Sequence, residues 1–91
     1  GYPGAVIESF ARGIPVIATV WRAVPEIVKD GVNGLLVDPD NIARELPQAM
    51  LRLAGDPELY ERLSAGALES AKRFAIEVVG PQLLELLEHQ R

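Results

Sequence analysis

Glu8 stands four residues after the Gly4 of a Gly1-Tyr2-Pro3-Gly4 turn, in a stretch, GYPGAVIES, that passes from glycines straight into apolar, helix-forming sequence. The chemistry open to such a stretch is the binding of anions and sugars. A glycine turn lets a phosphate approach the backbone, and the free N–H groups of a helix N-terminus favour negative charge. The helix dipole adds about 0.3–1 kcal/mol to that preference in exposed settings. One turn into the helix, an ionised Glu8 carboxylate has the lone pairs to accept hydrogen bonds from a pair of sugar hydroxyls. On residue types alone, the same stretch also reads as a plain turn followed by a solvated glutamate.

No other group of residues makes a comparable case. His89 has no partner at metal-ligand or triad spacing and reads as a solvated tail residue, so neither a metal site nor a nucleophilic catalytic residue is expected. Trp21 reads as a packing or interdomain residue, Arg22 as a surface charge, and Glu26 as a local backbone cap.

The elements that must position Glu8 follow from the apolar pattern. Gly4 to Arg12 reads as a short helix with Val6, Ile7 and Phe10 on one face and Gly13 at the position after its end. Ile14 to Thr19 is continuously apolar and rich in β-branched residues, as a parallel strand covered on both faces would be. Val24 to Lys29 reads as about one helical turn. Asp30-Gly31-Val32-Asn33-Gly34 is turn chemistry that permits positive φ, and Leu35-Leu36-Val37 is a second short strand closed by Asp38-Pro39-Asp40. Beyond it Ile42, Leu46, Ala49 or Met50, and Leu53 recur at helical spacing, with Pro47 expected to kink that helix or delay its start. Asp56 and Pro57 cap and begin another helix, whose face of Leu59, Leu63, Ala67 and Ala71 continues to Phe74, with Gly66 as a weak point. Ile76, Val79, Leu83 and Leu87 mark a last helix with a break at Gly80-Pro81.

This order predicts an α/β chain: parallel strands in residues 1–40 and a helix-rich half in residues 41–91. Two short parallel strands do not make a self-sufficient sheet, so further strands are expected from outside the segment.

GYPGAVIESFARGIPVIAT, followed by VPEIVKDGVNGLLVDPD, resembles the C-terminal domain of retaining glycosyltransferases with the two-Rossmann-domain GT-B architecture, in particular glycosyltransferase family 4. That family's signature is a Glu, seven residues and a second Glu. Gly1 to Ile7 match the seven and Glu8 the second Glu, which puts the first immediately before Gly1. The resemblance implies a partial Rossmann-like domain whose parent transfers a sugar from a nucleotide diphosphate sugar to a hydroxyl acceptor, with retention and without an obligatory cofactor. It implies that Glu8 holds the ribose hydroxyls, that Gly1, Tyr2, Pro3, Gly4, Ala5 and Val6 line the sugar and diphosphate, and that the N–H groups of Ala5 and Val6 lie nearest the phosphates. The basic residues that neutralise the diphosphate lie upstream of the signature in this family, so the segment alone is expected to be inactive. Trp21-Arg22-Ala23 departs from the family's commoner Gly-Gly, and Val20 replaces a frequent polar residue, so the resemblance does not carry donor contacts over to that loop.

Composition agrees with a folded module: 91 residues, 48% hydrophobic and 24% charged, carry a net charge of -4 and no cysteine. An acidic chain with no long basic cluster is a poor phosphate-backbone reader, so nucleic acid is not an expected partner. The absence of cysteine suits a reducing compartment, and no stretch approaches the ~18 apolar residues of a membrane span. A cytoplasmic or membrane-peripheral parent is expected. A stand-alone, non-catalytic interaction module is the competing reading, because unsatisfied strand edges and apolar helix faces serve association. For the segment alone those edges predict a homodimer, by edge-strand pairing in preference to exchange of a helix from Ile76 to Leu87.

Overall fold

The computed structural model describes residues 4–20, 27–80 and 88. Along the chain come α1 (Gly4–Ala11), β1 (Val16–Thr19), β2 (Gly34–Val37), a 3-10 turn (Pro39–Asn41), α2 (Ile42–Gly55), α3 (Pro57–Phe74) and a π-helical turn (Ala75–Val79). β1 and β2 are parallel, with Val16 opposite Gly34, Ile17 opposite Leu35, Ala18 opposite Leu36 and Thr19 opposite Val37. The architecture is that of a partial Rossmann-like α/β domain with a helical C-terminal half. Trp21 to Glu26, with Pro25 among them, lie outside the described residues, as do Pro81 to Leu87 and His89 to Arg91.

Element boundaries follow from where each backbone group finds a partner. α1 ends in a Schellman turn: Gly13, at φ 72°, donates to the Phe10 carbonyl and Ile14 to the Ser9 carbonyl, both at 2.9 Å. That turn uses the Ile14 N–H, and Pro15 has none. The ladder therefore begins at Val16, two residues later than the apolar run from Ile14 predicts. α3 starts as expected, with the Asp56 carboxylate accepting from the Leu59 N–H at 3.0 Å and Pro57 at its first position. Of the two effects expected of Pro47, a delayed start is not seen, because α2 starts before Pro47 and runs through it. Pro47 deprives the Ala43 carbonyl of its helical donor, but both residues are exposed and water serves that acceptor. Ile76 continues α3 and does not start a separate helix. α3 passes directly into the π-helical turn, and the chain leaves helical geometry at Gly80, where φ is 104°.

The side chains of the sheet alternate between two cores. Ile17, Leu35 and Val37 pack on one side with Ala49 and Leu53 of α2 and Leu59 and Leu63 of α3. Val16, Ala18 and Leu36 pack on the other with Val6, Ile7 and Phe10 of α1, Ile27, Val28, and Ala67 and Ala71 of α3. α3 thus serves both cores with one stripe, leucines first and alanines after. The alanine half allows α1 to come close enough for Phe10 to be 0% exposed.

The two edges of this sheet are unlike. Val37 turns its carbonyl toward β1, where Val20 N–H donates to it at 3.2 Å, so alternation turns Gly34, Leu36 and Asp38 outward. Each outward residue has a partner from its own chain. The Gly34 carbonyl accepts from Gly31 N–H at 2.9 Å, Leu36 N–H donates to the Asp30 carboxylate at 2.8 Å, and Asp38 N–H donates to Glu45 at 2.9 Å. β2 is therefore a terminated edge. All four β1 residues are only half-buried, short of the two-sided cover that their apolar character predicts.

One glycine and one asparagine join α3 to the loop before β2. Gly66, which looks in sequence like a weak point, is where the helix meets the loop: a Cβ there would overlap the Val32 carbonyl. Of the turn residues, Gly31 takes positive φ, at 77°, and Asn33 does not. Asn33 is instead 1% exposed, with its amide accepting from Lys29 N–H at 2.8 Å and donating to the Ile27 carbonyl at 3.0 Å and to Ser70 Oγ at 2.8 Å.

Alanine substitution at two helical glycines should therefore act with opposite signs. Removing a helical glycine gains up to about 1 kcal/mol, and Gly55→Ala, where nothing lies within 4 Å of the new Cβ, should show that gain. At Gly66 the clash is with backbone that cannot rotate away, so Gly66→Ala should cost about 1–3 kcal/mol net. Urea unfolding of the two variants checks this; equal shifts would contradict the close approach.

Candidate functional site

α1 is eight residues long, with an inward ridge of half-buried Val6 and Ile7 and fully buried Phe10, and beside it an exposed ridge of Ala5 and Glu8 that continues to Arg12 just past its end. What aims this helix is the packing of Phe10 on Ala67 and Ala71, together with a hydrogen bond from Ser64 Oγ to the Gly13 carbonyl at 2.6 Å. Its C-terminal end is thereby pinned to α3. The short connection through Gly13 folds β1 back along α1, so Gly4 lies at the end of the sheet where β1 finishes. That is the end at which open α/β sheets take ligands.

Of the residues singled out from sequence, the structure brings together Gly4, Ala5, Val6 and Glu8 on one helical turn. Gly1, Tyr2 and Pro3 lie outside the described residues. Gly4 and Val6 are half-buried and Ala5 is exposed, and no acidic side chain occupies the first turn to take up its N–H groups. Glu8 follows Gly4 by one helical turn and points to solvent, its side chain 72% exposed. Its partner is Arg12 Nη2, 3.7 Å from Oε1 and itself 71% exposed. Arg12 was not singled out in the sequence reading, although its spacing from Glu8 is the signal for such a helical pair. An exposed pair of this kind contributes about 0–1 kcal/mol, so the fold gives Glu8 little to do.

Among the described residues, cavities lie on either side of the sheet, and the two best formed do not include Gly4, Ala5, Val6 or Glu8. One, of about 250 Å³, lies between Ile7, the loop at Val32-Asn33 and Phe74 of α3; the other, of about 330 Å³, lies between β2 and Arg44, Gln48 and Arg52 of α2. Among the described residues no group of His, Cys, Asp or Glu is placed to hold a metal ion, and no helix is long and apolar enough to cross a membrane.

A family profile described as glycosyl transferases group 1 matches residues 1–56. An exopolysaccharide phosphotransferase of Streptomyces coelicolor is 36% identical over 86 residues, covering 93% of this chain and 9% of that protein. A D-inositol 3-phosphate glycosyltransferase of Nocardioides sp. is 36% identical over 84 residues, 92% of this chain and 18% of its own length. An amylovoran biosynthesis glycosyltransferase of Erwinia amylovora is 30% identical over 89 residues, 97% of this chain and 22% of its own. The chain thus spans less than a quarter of each of these curated relatives.

Because the carboxylate is solvated, Glu8→Gln should leave unfolding unchanged within about 0.5 kcal/mol, whereas Phe10→Ala should cost about 3–5 kcal/mol. Thermal and urea unfolding of both variants measure this. A loss above about 1 kcal/mol in Glu8→Gln would show a structural task for the carboxylate and weaken its assignment to a ligand.

Proposed function

The chain belongs to the group 1 glycosyl transferases, and we propose that it supplies the donor-side wall of an enzyme that moves a sugar from a nucleotide diphosphate sugar to a hydroxyl acceptor with retention. The observation that carries this reading is the first turn of α1, which holds no acidic side chain and is followed one turn later by the solvent-facing carboxylate of Glu8. The N–H groups of Ala5 and Val6, with that of Gly4, donate to diphosphate oxygens, and the dipole of α1 favours the same charge. As the bond to the transferred sugar breaks, negative charge grows on the departing diphosphate, and donors already aimed there stabilise that state without reorganising. Glu8 accepts from the two ribose hydroxyls and so fixes the nucleoside end of the donor. Gly1, Tyr2 and Pro3 extend the lining before α1. Charge neutralisation by basic side chains comes from the part of the parent beyond this segment, and the reaction takes place in the cytoplasm.

In the longer protein that carries this segment, Glu8→Ala should lower kcat/KM for the donor by about 1–3 kcal/mol, or roughly 5- to 150-fold, with little change in acceptor KM. Steady-state kinetics with the donor varied provides the check. Unchanged donor kinetics would remove Glu8 from the site.

The segment by itself carries one side of the cleft and no transfer activity. Its free β1 edge, with Ile14 44% and Val20 50% exposed at either end, is the place for a second copy, because β2 is already closed by Asp30, Gly31 and Glu45. The 91 residues alone should therefore form a homodimer through paired β1 strands. Sedimentation equilibrium at tens of micromolar tests it, and a folded monomer would rule it out.

A further inference from the structure

Asn33 and Gly34 meet where the loop enters β2, and each is required there for its own packing reason. Asn33 is 1% exposed and its amide is fixed at both atoms: Oδ1 accepts from Lys29 N–H at 2.8 Å, and Nδ2 donates to the Ile27 carbonyl at 3.0 Å and to Ser70 Oγ at 2.8 Å. Glutamine, one methylene longer, would not set its amide on those partners. Gly34 stands opposite Val16 in the ladder, and a Cβ on it would overlap the Val16 carbonyl and press on Val28. Only glycine allows that approach. The fold thus imposes the pair Asn-Gly, in which a side-chain amide is followed by the one residue whose backbone nitrogen no side chain shields.

We propose that the Asn33–Gly34 junction is a deamidation site, closed in the folded chain and opened when β2 leaves the sheet. In the reaction the Gly34 backbone nitrogen gives its proton to base and bonds to Asn33 Cγ. The Cγ–Nδ2 bond breaks, the departing nitrogen takes a proton from solvent and leaves as ammonia, and a five-membered succinimide remains. Water then opens that ring at one carbonyl or the other, giving aspartate or isoaspartate, so the reaction needs no oxidant or reductant.

The native contacts oppose the first step. Attack requires Cγ to swing over the Gly34 nitrogen, and that swing gives up all three hydrogen bonds of a buried amide and leaves their partners unpaired. Gly34 does not move to meet it, because its carbonyl accepts from Gly31 N–H at 2.9 Å and its Cα lies against Val16. Reaction therefore runs through local opening, at a rate set by how often the segment opens. The products do not fit back. Aspartate places an acceptor where Nδ2 donated to the Ile27 carbonyl and buries a charge. Isoaspartate lengthens the backbone by one methylene ahead of Gly34 and shifts β2 against Val16. An opening that lasts long enough for the chemistry becomes permanent.

The test is peptide mapping by mass spectrometry of the longer protein that carries this segment, after incubation at mildly alkaline pH in buffer and in guanidinium chloride. Asn33 is expected to convert in denaturant to a mixture of aspartate and isoaspartate, and at least about tenfold more slowly in the folded protein. Asn41, whose following residue is the β-branched Ile42, should stay intact in both and serves as the internal reference. Ser70→Ala removes one acceptor from the amide; whether that variant loosens or fails to fold, conversion in buffer should rise about threefold or more, with the rate in denaturant unchanged. When the denaturant is removed, the chains that refold should be enriched in unmodified Asn33. Equal rates in buffer and denaturant, no conversion in denaturant, a Ser70→Ala rate equal to the parent's in buffer, or modified chains that refold as readily as unmodified ones would each overturn the proposal.

Discussion

The amide of Asn33 is held at 1% exposure by three hydrogen bonds, to Ile27, Lys29 and Ser70, and the placement of α3 rests on that arrangement. A buried amide donor left unpaired costs about 1–3 kcal/mol, and two of the three bonds are made within residues 27–33, so α3 is held at the position where Ser70 supplies the third. Gly66, one helical turn before Ser70, makes that position reachable, since any side chain there would meet the Val32 carbonyl. The polar contact and the missing side chain are two halves of one constraint. Together they hold the loop that leads into β2 against the middle of the longest helix.

From that contact the rest of the packing follows. With α3 seated, its leucine half closes one face of the sheet with α2, and its alanine half receives Phe10 and hence α1. Ser64 then takes the Gly13 carbonyl at the end of α1. The candidate site, at the opposite end of α1, is consequently held from behind by side chains that take no part in its chemistry. This division suits a binding wall: the groups that would meet a ligand are backbone donors and one solvated carboxylate, and neither is engaged in holding the fold.

Electrostatics divides the surface in a similar way. Asp30, Asp38, Glu45 and Asp56 each accept from a backbone N–H that would otherwise lack a partner, and in doing so they finish a strand edge or start a helix. Much of the acidity of this chain is thus part of its local architecture. Glu8 belongs to a different class, since its neighbour is an exposed arginine and not a backbone donor.

The sequence by itself determined what depends on neighbours along the chain. The stripe Leu59, Leu63, Ala67 and Ala71, the Asp56-Pro57 start of α3, the Gly13 stop of α1 and the parallel pairing implied by two short apolar runs are all written at spacings of a few residues, because helix periodicity and capping are local. The position of Glu8 one turn into α1 was legible for the same reason, since a helix start and a carboxylate one turn later are adjacent in sequence. The tertiary structure decided what depends on distant partners. Ser70 lies 37 residues from Asn33, and Ser64 lies 51 from Gly13, and no periodicity joins them. Gly66 looks like a flaw until the Val32 carbonyl is beside it, and Pro47 looks like a break until its helix is seen to have solvent on that side. The closed edge of β2 was equally hidden, because an aspartate in a turn reads the same whether its carboxylate faces water or the last free N–H of a strand.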